Sequence, residues 1–358
     1  MMKSVVNEVA SGLIERDREA HLMVVGLVAR QHVLFVGPPG TAKSMMVERL
    51  IQAVNAKGFV QLMHKHLPAE ELLGPVKLSA LKNDQYERVV GGMLPEAEVA
   101  FLDEIWKSSP AVLNTLLRIL NEREFMNGTS GMMQCPLELC VAASNEWPIG
   151  EGFETTGALF DRFLIRSSIL PVSKGKRSQL IFGSLTGGAN PIVTWAEVKQ
   201  AQQDAKALQW DAAAMTAYEE IIDQLLMEGI VVGDRRMRAG VSVCAANAFV
   251  EGASGVEMEH LEVLKHVLWA VPDQEQKTAE IVSKIANPKG WRITEILTAV
   301  DEALSAVTDF DTPEAFANLK KVKDMNDELA SMGTQRSIEA SRYVSDRMTS
   351  LNKKMLGV

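Results

Sequence analysis

Residues 37–44 read Gly37-Pro38-Pro39-Gly40-Thr41-Ala42-Lys43-Ser44. At that spacing backbone N–H groups can curl around phosphate oxygens, Lys43 can span the outer phosphates of a nucleotide, and the Ser44 hydroxyl can reach a magnesium ion. The general pattern is G-x-x-x-x-G-K-[ST], and Ala42 stands where its second glycine belongs. The residue before the lysine is expected to have entered the helix already, with the negative φ that alanine accepts, so the loop should survive the replacement. A strand-like run, His32 to Val36, precedes the cradle and a helical pattern over about 44–56 follows it, which is the context this chemistry needs.

A second apolar run, Val99-Ala100-Phe101-Leu102, ends in Asp103-Glu104. A carboxylate at the end of a strand beside the cradle would hold Mg²⁺ with Ser44, which assigns the metal to Ser44 and Asp103. Glu104 would then aim a carboxylate at the attacking water as general base or water positioner. A third run, Leu137 to Ala143, leads to Ser144-Asn145, and the Asn145 amide is placed to orient the same water. Two acids after an apolar run are common by accident; beside the cradle they become informative.

Asp161-Arg162-Phe163 follows a glycine-rich stretch at 150–157, with Arg166 expected one helical turn beyond Arg162. An arginine there cannot easily bend back to its own phosphates and would serve a neighbour's, with Arg162 preferred over Arg166. Such a finger contributes roughly 10³–10⁵ in rate. Gly233-Asp234-Arg235-Arg236 opens a helix with Asp234 as the expected N-cap, and one arginine, Arg235 before Arg236, would close a helical lid onto the nucleotide. His64 and His66 would share one face of a strand, but no third ligand accompanies them.

These residues need an α/β scaffold. Short apolar runs alternating with helical patterns in the first half, including one at 17–30, indicate a parallel sheet covered on both faces. Residues 74–95 and 124–138 read as hairpins inserted into it, the first turning at Asn83-Asp84 and the second at Asn127-Gly128 or Ser130-Gly131. Beyond Pro171 the loop-like stretches SKGKRSQ and LTGGANP lead into helical periodicity from Thr194 onward. The expected organisation is an α/β nucleotide domain over 1–190, a helical linker and lid over 191–272, and a bundle of two or three long helices over 273–358. In that bundle Met325, Leu329 and Met332, and Val344, Met348, Leu351 and Met355, fall at heptad-like spacing, with Gly333 as the turn.

The 358 residues are 47% hydrophobic and 23% charged, with a net charge of −9 that argues against nucleic acid as the main partner. Cys135, Cys140 and Cys244 form no paired spacing and are expected as buried thiols in a reducing compartment. The start lacks a signal-peptide core and no window approaches a membrane span, which makes the cytoplasm the expected location, with no membrane insertion.

Together these residues resemble the MoxR family of AAA+ ATPases, most closely its RavA branch. The resemblance runs from Gly12-Leu13-Ile14-Glu15-Arg16 to about Trp269. It includes Leu94-Pro95-Glu96-Ala97-Glu98, the run from Phe101 to Lys107, Leu113-Asn114-Thr115-Leu116-Leu117 and Asn121-Glu122-Arg123. It implies an AAA+ P-loop core with a five-stranded parallel sheet, an all-helical lid and a C-terminal helical bundle, assembled as hexameric rings that bind ATP and Mg²⁺. It further implies that Asn145 is the first sensor, Arg162 the finger and Arg235 the second sensor, that Leu13 and Ile14 lie near the adenine, and that Ala42 is a familiar variant. Family members are chaperone-like motors, usually with a von Willebrand factor A partner. The RavA branch carries an additional binding domain for which 273–358 leaves no room, so that branch's partner is not carried over.

Three functions follow: a ring ATPase that remodels a protein partner, a nucleic-acid translocase resting on Lys77, Lys82 and Arg88 of the first insert, and a nucleotide-gated scaffold.

Overall fold

Five segments pair in parallel into one sheet: β1 (Val33–Val36), β2 (Gly58–Leu62), β3 (Val99–Asp103), β4 (Leu139–Ser144) and β5 (Ile165–Ser168), in the order β2-β3-β4-β1-β5. The computed structural model describes residues 1–148, 153–183, 188–305 and 313–355. β1 and β4 are buried at nearly every residue, as strands covered on both faces must be, whereas the edge strand β2 alternates between exposed and buried. Val33 lies opposite both Val141 and Ile165, so β1 sits between β4 and β5. The carboxyl ends of β3, β4 and β1 therefore line up side by side, at the crevice where open α/β sheets bind ligands.

One face of the sheet packs Leu34, Leu102 and Ala142 against the helix Pro110–Glu122 and the helix Phe153–Phe160. Ser109 caps the first of these by accepting the Val112 N–H, and Pro110 occupies its first turn, where a missing N–H costs nothing. Its Val112, Leu113, Leu116, Ile119 and Leu120 are buried at helical spacing, each contributing about 2 kcal/mol. The helices Met2–Ala10, Asp17–Ala29 and Asp234–Glu251 pack on one another beside the sheet.

The structure departs from the sequence reading in particulars. Residues 74–95 pair antiparallel only at their base, where Lys77 N–H donates to Glu87 O at 2.7 Å and Val89 N–H to Pro75 O at 2.8 Å around a bridge between Val76 and Arg88; the one-turn helix Leu78–Leu81 stands where the expected hairpin would extend. That turn satisfies its own backbone, Leu81 N–H to Lys77 O and Lys82 N–H to Leu78 O, which leaves few groups to pair across. The second insert is a hairpin, Glu124–Met126 against Met132–Gln134. The two inserts are knitted together: Thr129 N–H donates to Tyr86 O at 2.7 Å, Arg88 N–H to Asn127 Oδ1 at 2.8 Å, and Asn127 Nδ2 to Arg88 O at 3.2 Å. Gly128 permits this approach, since a Cβ there would stand 2.0 Å from Tyr86 O.

β2 and β5 escaped the apolar-run reading because β2 is an alternating edge and β5 reads Ile-Arg-Ser-Ser. His64 and His66 lie beyond the end of β2 in a turn closed by Leu67 N–H on His64 O, not on one strand face. Asp234 is the first residue of its helix and Gly233 the N-cap, so Asp234 meets the helix dipole without capping.

The helices Trp195–Ala207, Ala212–Met227 and Asp234–Glu251 and a 3₁₀ stretch, Met258–His266, follow the sheet, with a two-residue parallel pair, Gln209–Trp210 and Gly255–Val256, among them. Thr194 and Glu197 close a capping box on the first. Among the described residues four α-helices follow residue 272, where two or three were expected: Glu275–Ala286, Pro288–Ser305, Pro313–Ser331 and Gln335–Met355. Pro288 sits in the first turn of the second and separates it from its predecessor.

Two compact units result, Met1–Ala279 and Glu280–Val358. The second has its own core of Ile293, Ile296, Val300, Val322, Leu329 and Val344, with Met325, Met332 and Met348 packed against it. Gly333 stands between its last two helices; the Leu351 and Met355 side chains lie outside the description, as do residues 150–152 of the glycine-rich stretch and 185–187 of the later loop.

Candidate functional site

The cradle leaves β1 at Gly37, whose N–H donates to Ser144 O at 3.0 Å and so ties the loop to the end of β4. Gly40 turns through φ +77, a conformation that costs glycine little. Ala42 corrects an expectation: its φ is +67, in the left-handed region, and the helix begins only at Lys43. The alanine is therefore strained, at about 1–2 kcal/mol, because the chain must swing its N–H groups inward before the helix can start. Lys43 is buried; its Nζ donates to Gly37 O at 2.6 Å and to Pro38 O at 3.1 Å. Burial draws its pKa down, and the charges of Asp103 and Glu104 oppose that shift.

β3 ends at Asp103, whose Oδ1 accepts the Glu104 N–H at 3.0 Å. Glu104 also has positive φ, +53, so the backbone turns sharply as it delivers the second carboxylate. Glu104 Oε1 accepts from Asn145 Nδ2 and lies 3.2 Å from Lys107 Nζ. Asn145 thus meets the acid after β4, as the alignment of strand ends requires. Residues 38–44, Asp103, Glu104 and Asn145, with Leu13 and Ile14, line one cavity of about 610 Å³, within the range of small-molecule sites. A cationic Lys43, a helix N-terminus, a hydroxyl and two carboxylates fit a triphosphate with a divalent cation.

Two charged residues that touch this site's groups carried no role in the sequence reading. Arg16, only 5% exposed, lines the cavity and donates to Thr41 O at 2.9 Å, Glu15 O at 2.6 Å and Leu170 O at 2.9 Å, bracing the cradle from outside. Its partners Thr41 and Leu170 are distant in the chain, so no local pattern announces it. Lys107, the other, stands three residues after Glu104 in a 3₁₀ turn, a spacing that becomes readable once that turn is known.

A second cluster centres on Asp161. Arg236 Nη2 lies 2.5 Å from its Oδ1, Arg162 Nη1 3.7 Å from Oδ2, Arg166 Nη2 3.9 Å from Oδ1 and Arg235 Nη1 4.0 Å from Oδ2. Arg166 is not one helical turn beyond Arg162: the helix stops at Phe160 and Arg166 stands on β5, fully buried. Its guanidinium donates to the carbonyls of Phe160, Phe163, Trp269 and Ala270 and lies 3.8 Å from the Phe160 ring centre. Burial and then the charge of Arg236 pull its pKa well down, against Asp161. Arg236 is buried too and donates to Val267 O at 2.7 Å. Arg162 and Arg235 keep exposed surface, and neither lines the cavity of its own chain.

All three cysteines are buried free thiols. Burial pushes Cys135 up to about 11 and raises Cys140 and Cys244 further, which makes them poor nucleophiles. His32 and His266 are buried, and desolvation lowers their pKa values to about 4 and about 3.

Residues 1–209 match the family model described as the MoxR domain in the MoxR-vWA-beta-propeller ternary systems, and residues 214–282 match that of an AAA lid domain. An uncharacterised protein of Methanocaldococcus jannaschii is 33% identical over 80% of this chain and 76% of its own length. The chaperone MoxR1 of Mycobacterium tuberculosis is 23% identical over 57% of this chain and 54% of its own length. A solved structure described as a candidate ATPase from Cytophaga hutchinsonii superposes with a TM-score of 0.62 at 17% identity, covering 79% of this chain and 92% of that one.

Proposed function

The chain belongs to the MoxR family of AAA+ ATPases, and from that premise we propose that it hydrolyses ATP at sites shared between neighbouring copies of a ring and uses the cycle to remodel a protein partner. The observation that carries this reading is a separation. Cradle, carboxylates and Asn145 converge on one cavity, while Arg162 and Arg235 gather at Asp161 and do not line it. Arg16 does line it, but each of its three guanidinium nitrogens is held by a carbonyl, which fixes the group against the outside of the cradle. A free guanidinium for the transferred phosphate therefore comes from another copy.

In this reading Gly37 to Ser44 hold the phosphates and Leu13 and Ile14 the base. Ser44 and Asp103 hold Mg²⁺, which supplies positive charge against that developing on the phosphate oxygens. Glu104 accepts the proton of the attacking water, and Asn145, hydrogen-bonded to Glu104 Oε1, fixes the carboxylate's orientation. Arg162 is the finger. Arg235 is the lid arginine, since Arg236 is committed to Val267 O and Asp161. The nucleotide domain, lid and bundle are read as 1–190, 191–272 and 273–358, the rings as hexamers, and the location as cytoplasmic.

A protein partner is supported by the inserts, whose Leu78 is 73% exposed, Leu81 53% and Met126 51%, and by a relative named as a chaperone. The description of the matched family model supports a von Willebrand factor A protein as co-factor protein. Two of the three cations that suggested nucleic acid are committed: Lys77 pairs with Glu87 at 3.0 Å and Arg88 donates to Gly74 O at 2.8 Å. Among the described residues no helix is long and apolar enough to cross a membrane.

A mixing experiment tests the shared site. Glu104→Gln and Arg162→Ala are each expected to be inactive, and combined they should regain turnover at interfaces that pair an intact Glu104 with an intact Arg162. No recovery at any ratio would sink the shared site.

A further inference from the structure

Asp161 is the one carboxylate among the described residues within 4.0 Å of any of the four arginines around it. Arg166 donates to four carbonyls, so what it takes from Asp161 is charge compensation, whereas Arg236 donates to Val267 O through Nη1 and to Asp161 Oδ1 through Nη2; two buried like charges repel strongly without that carboxylate. Arg162 is in the opposite position. Its Nε is buried and has no hydrogen-bond partner among the described residues, and its Nη1 lies 3.7 Å from Asp161 Oδ2. Its backbone is held by the helix end, Arg162 N–H on Leu159 O at 3.0 Å, so the orientation of the long side chain depends on that carboxylate.

We propose that Asp161 is a positioning residue for Arg162, a counter-ion that holds the guanidinium in the orientation it presents to the phosphate of a nucleotide on an adjoining copy. The same carboxylate bonds Arg236, which anchors Val267 of the lid, so Asp161 also links the placement of Arg162 to the seating of the lid. An approaching phosphate carries more charge than one shared carboxylate and takes Arg162 over without unseating Arg236, whose contact with Asp161 is the closest of the four. The inference rests on the shared-site reading above.

The test uses the full chain, assayed for ATP turnover and for equilibrium binding of a fluorescent ATP analogue. Arg162→Ala mixed with Glu104→Gln must regain turnover; without that recovery the shared-site reading falls, and this proposal with it. Given that recovery, Asp161→Asn should lower kcat about tenfold or more while the analogue's Kd stays within about twofold. Mixing Asp161→Asn with Glu104→Gln should restore turnover, because the second variant lends an intact Asp161 and Arg162 to a copy whose Glu104 is intact. A merely structural role would weaken nucleotide binding and give no rescue. Wild-type kcat in Asp161→Asn, or rescue in the Arg162 mixture without rescue in the Asp161 mixture, overturns the proposal. Should Asp161→Asn fail to fold, Asp161→Glu carries the test: displacing the carboxylate by one methylene should lower kcat about threefold with affinity unchanged, and an unchanged kcat overturns the proposal.

Discussion

Around the nucleotide cavity the chemical groups sit at or next to the ends of neighbouring strands: the cradle after β1, Asp103 and Glu104 at the end of β3, Asn145 after β4. Around Asp161 they come from a helix end, from the interior of β5 and from a lid helix more than seventy residues away. The first arrangement is built by sheet order, which makes consecutive crossovers deliver their loops to one crevice. The second is built by packing, and its arginines differ mainly in what already occupies them. Arg166 is spent on carbonyls and Arg236 on Val267 O and Asp161 itself; Arg162 and Arg235 hold no such bonds. Residue type alone does not reveal a free guanidinium. The surrounding acceptors do.

The contrast breaks most sharply at Arg162. Arg162→Ala should cost roughly 10³-fold or more in kcat while leaving nucleotide affinity nearly intact, measured by steady-state turnover and equilibrium binding. A loss confined to Kd would place Arg162 with the binding groups instead. Glu104→Gln, on the cavity side, should lower kcat by about 10²–10⁴ and still bind ATP, which single-turnover kinetics would show. Equal turnover in wild type and variant would remove Glu104 from the chemistry.

A third prediction concerns stability. The unfolded chain titrates His32 and His266 near 6.5, whereas burial holds the folded values at about 4 and about 3. Below pH 6.5 the unfolded chain therefore binds more protons, and stability is lost as pH falls through 6 and 5 towards the folded values. At pH 5 each histidine should cost about 2 kcal/mol relative to pH 7.5. Urea midpoints at the two pH values check this, and His32→Gln should flatten the dependence by about half.

The smallest effect is expected at Ala42, whose φ of +67 suits glycine. Ala42→Gly should stabilise the fold by about 1 kcal/mol, read as a higher thermal midpoint, with turnover little changed. A lower midpoint would mean that the alanine methyl contributes packing that outweighs its backbone strain.

The legibility of the chain follows the same division. Gly37 to Ser44, Asp103-Glu104 and Asn145 could be read because each sits beside a short run of apolar residues, and apolar runs mark inner strands of a parallel sheet. β5 could not be read this way: Ile-Arg-Ser-Ser carries its polar side chains into the interior, where Arg166 finds carbonyls to bond. The first insert departs from a full hairpin for a local reason: Leu78 to Leu81 close a helical turn upon themselves and leave antiparallel pairing only at the base. Ala42 was misread because its φ is imposed by the path of the loop and not by its own preference.

The amino-acid order by itself determined the parallel sheet's inner strands, the phosphate cradle, the acidic pair and the helical character after residue 194, because each is specified by spacing over a few residues. Only tertiary structure decided that Arg16 braces the cradle, that Lys107 and Asn145 share Glu104, and that one aspartate binds four arginines together. Those outcomes depend on which donors and acceptors meet after burial, between residues that the chain itself keeps far apart.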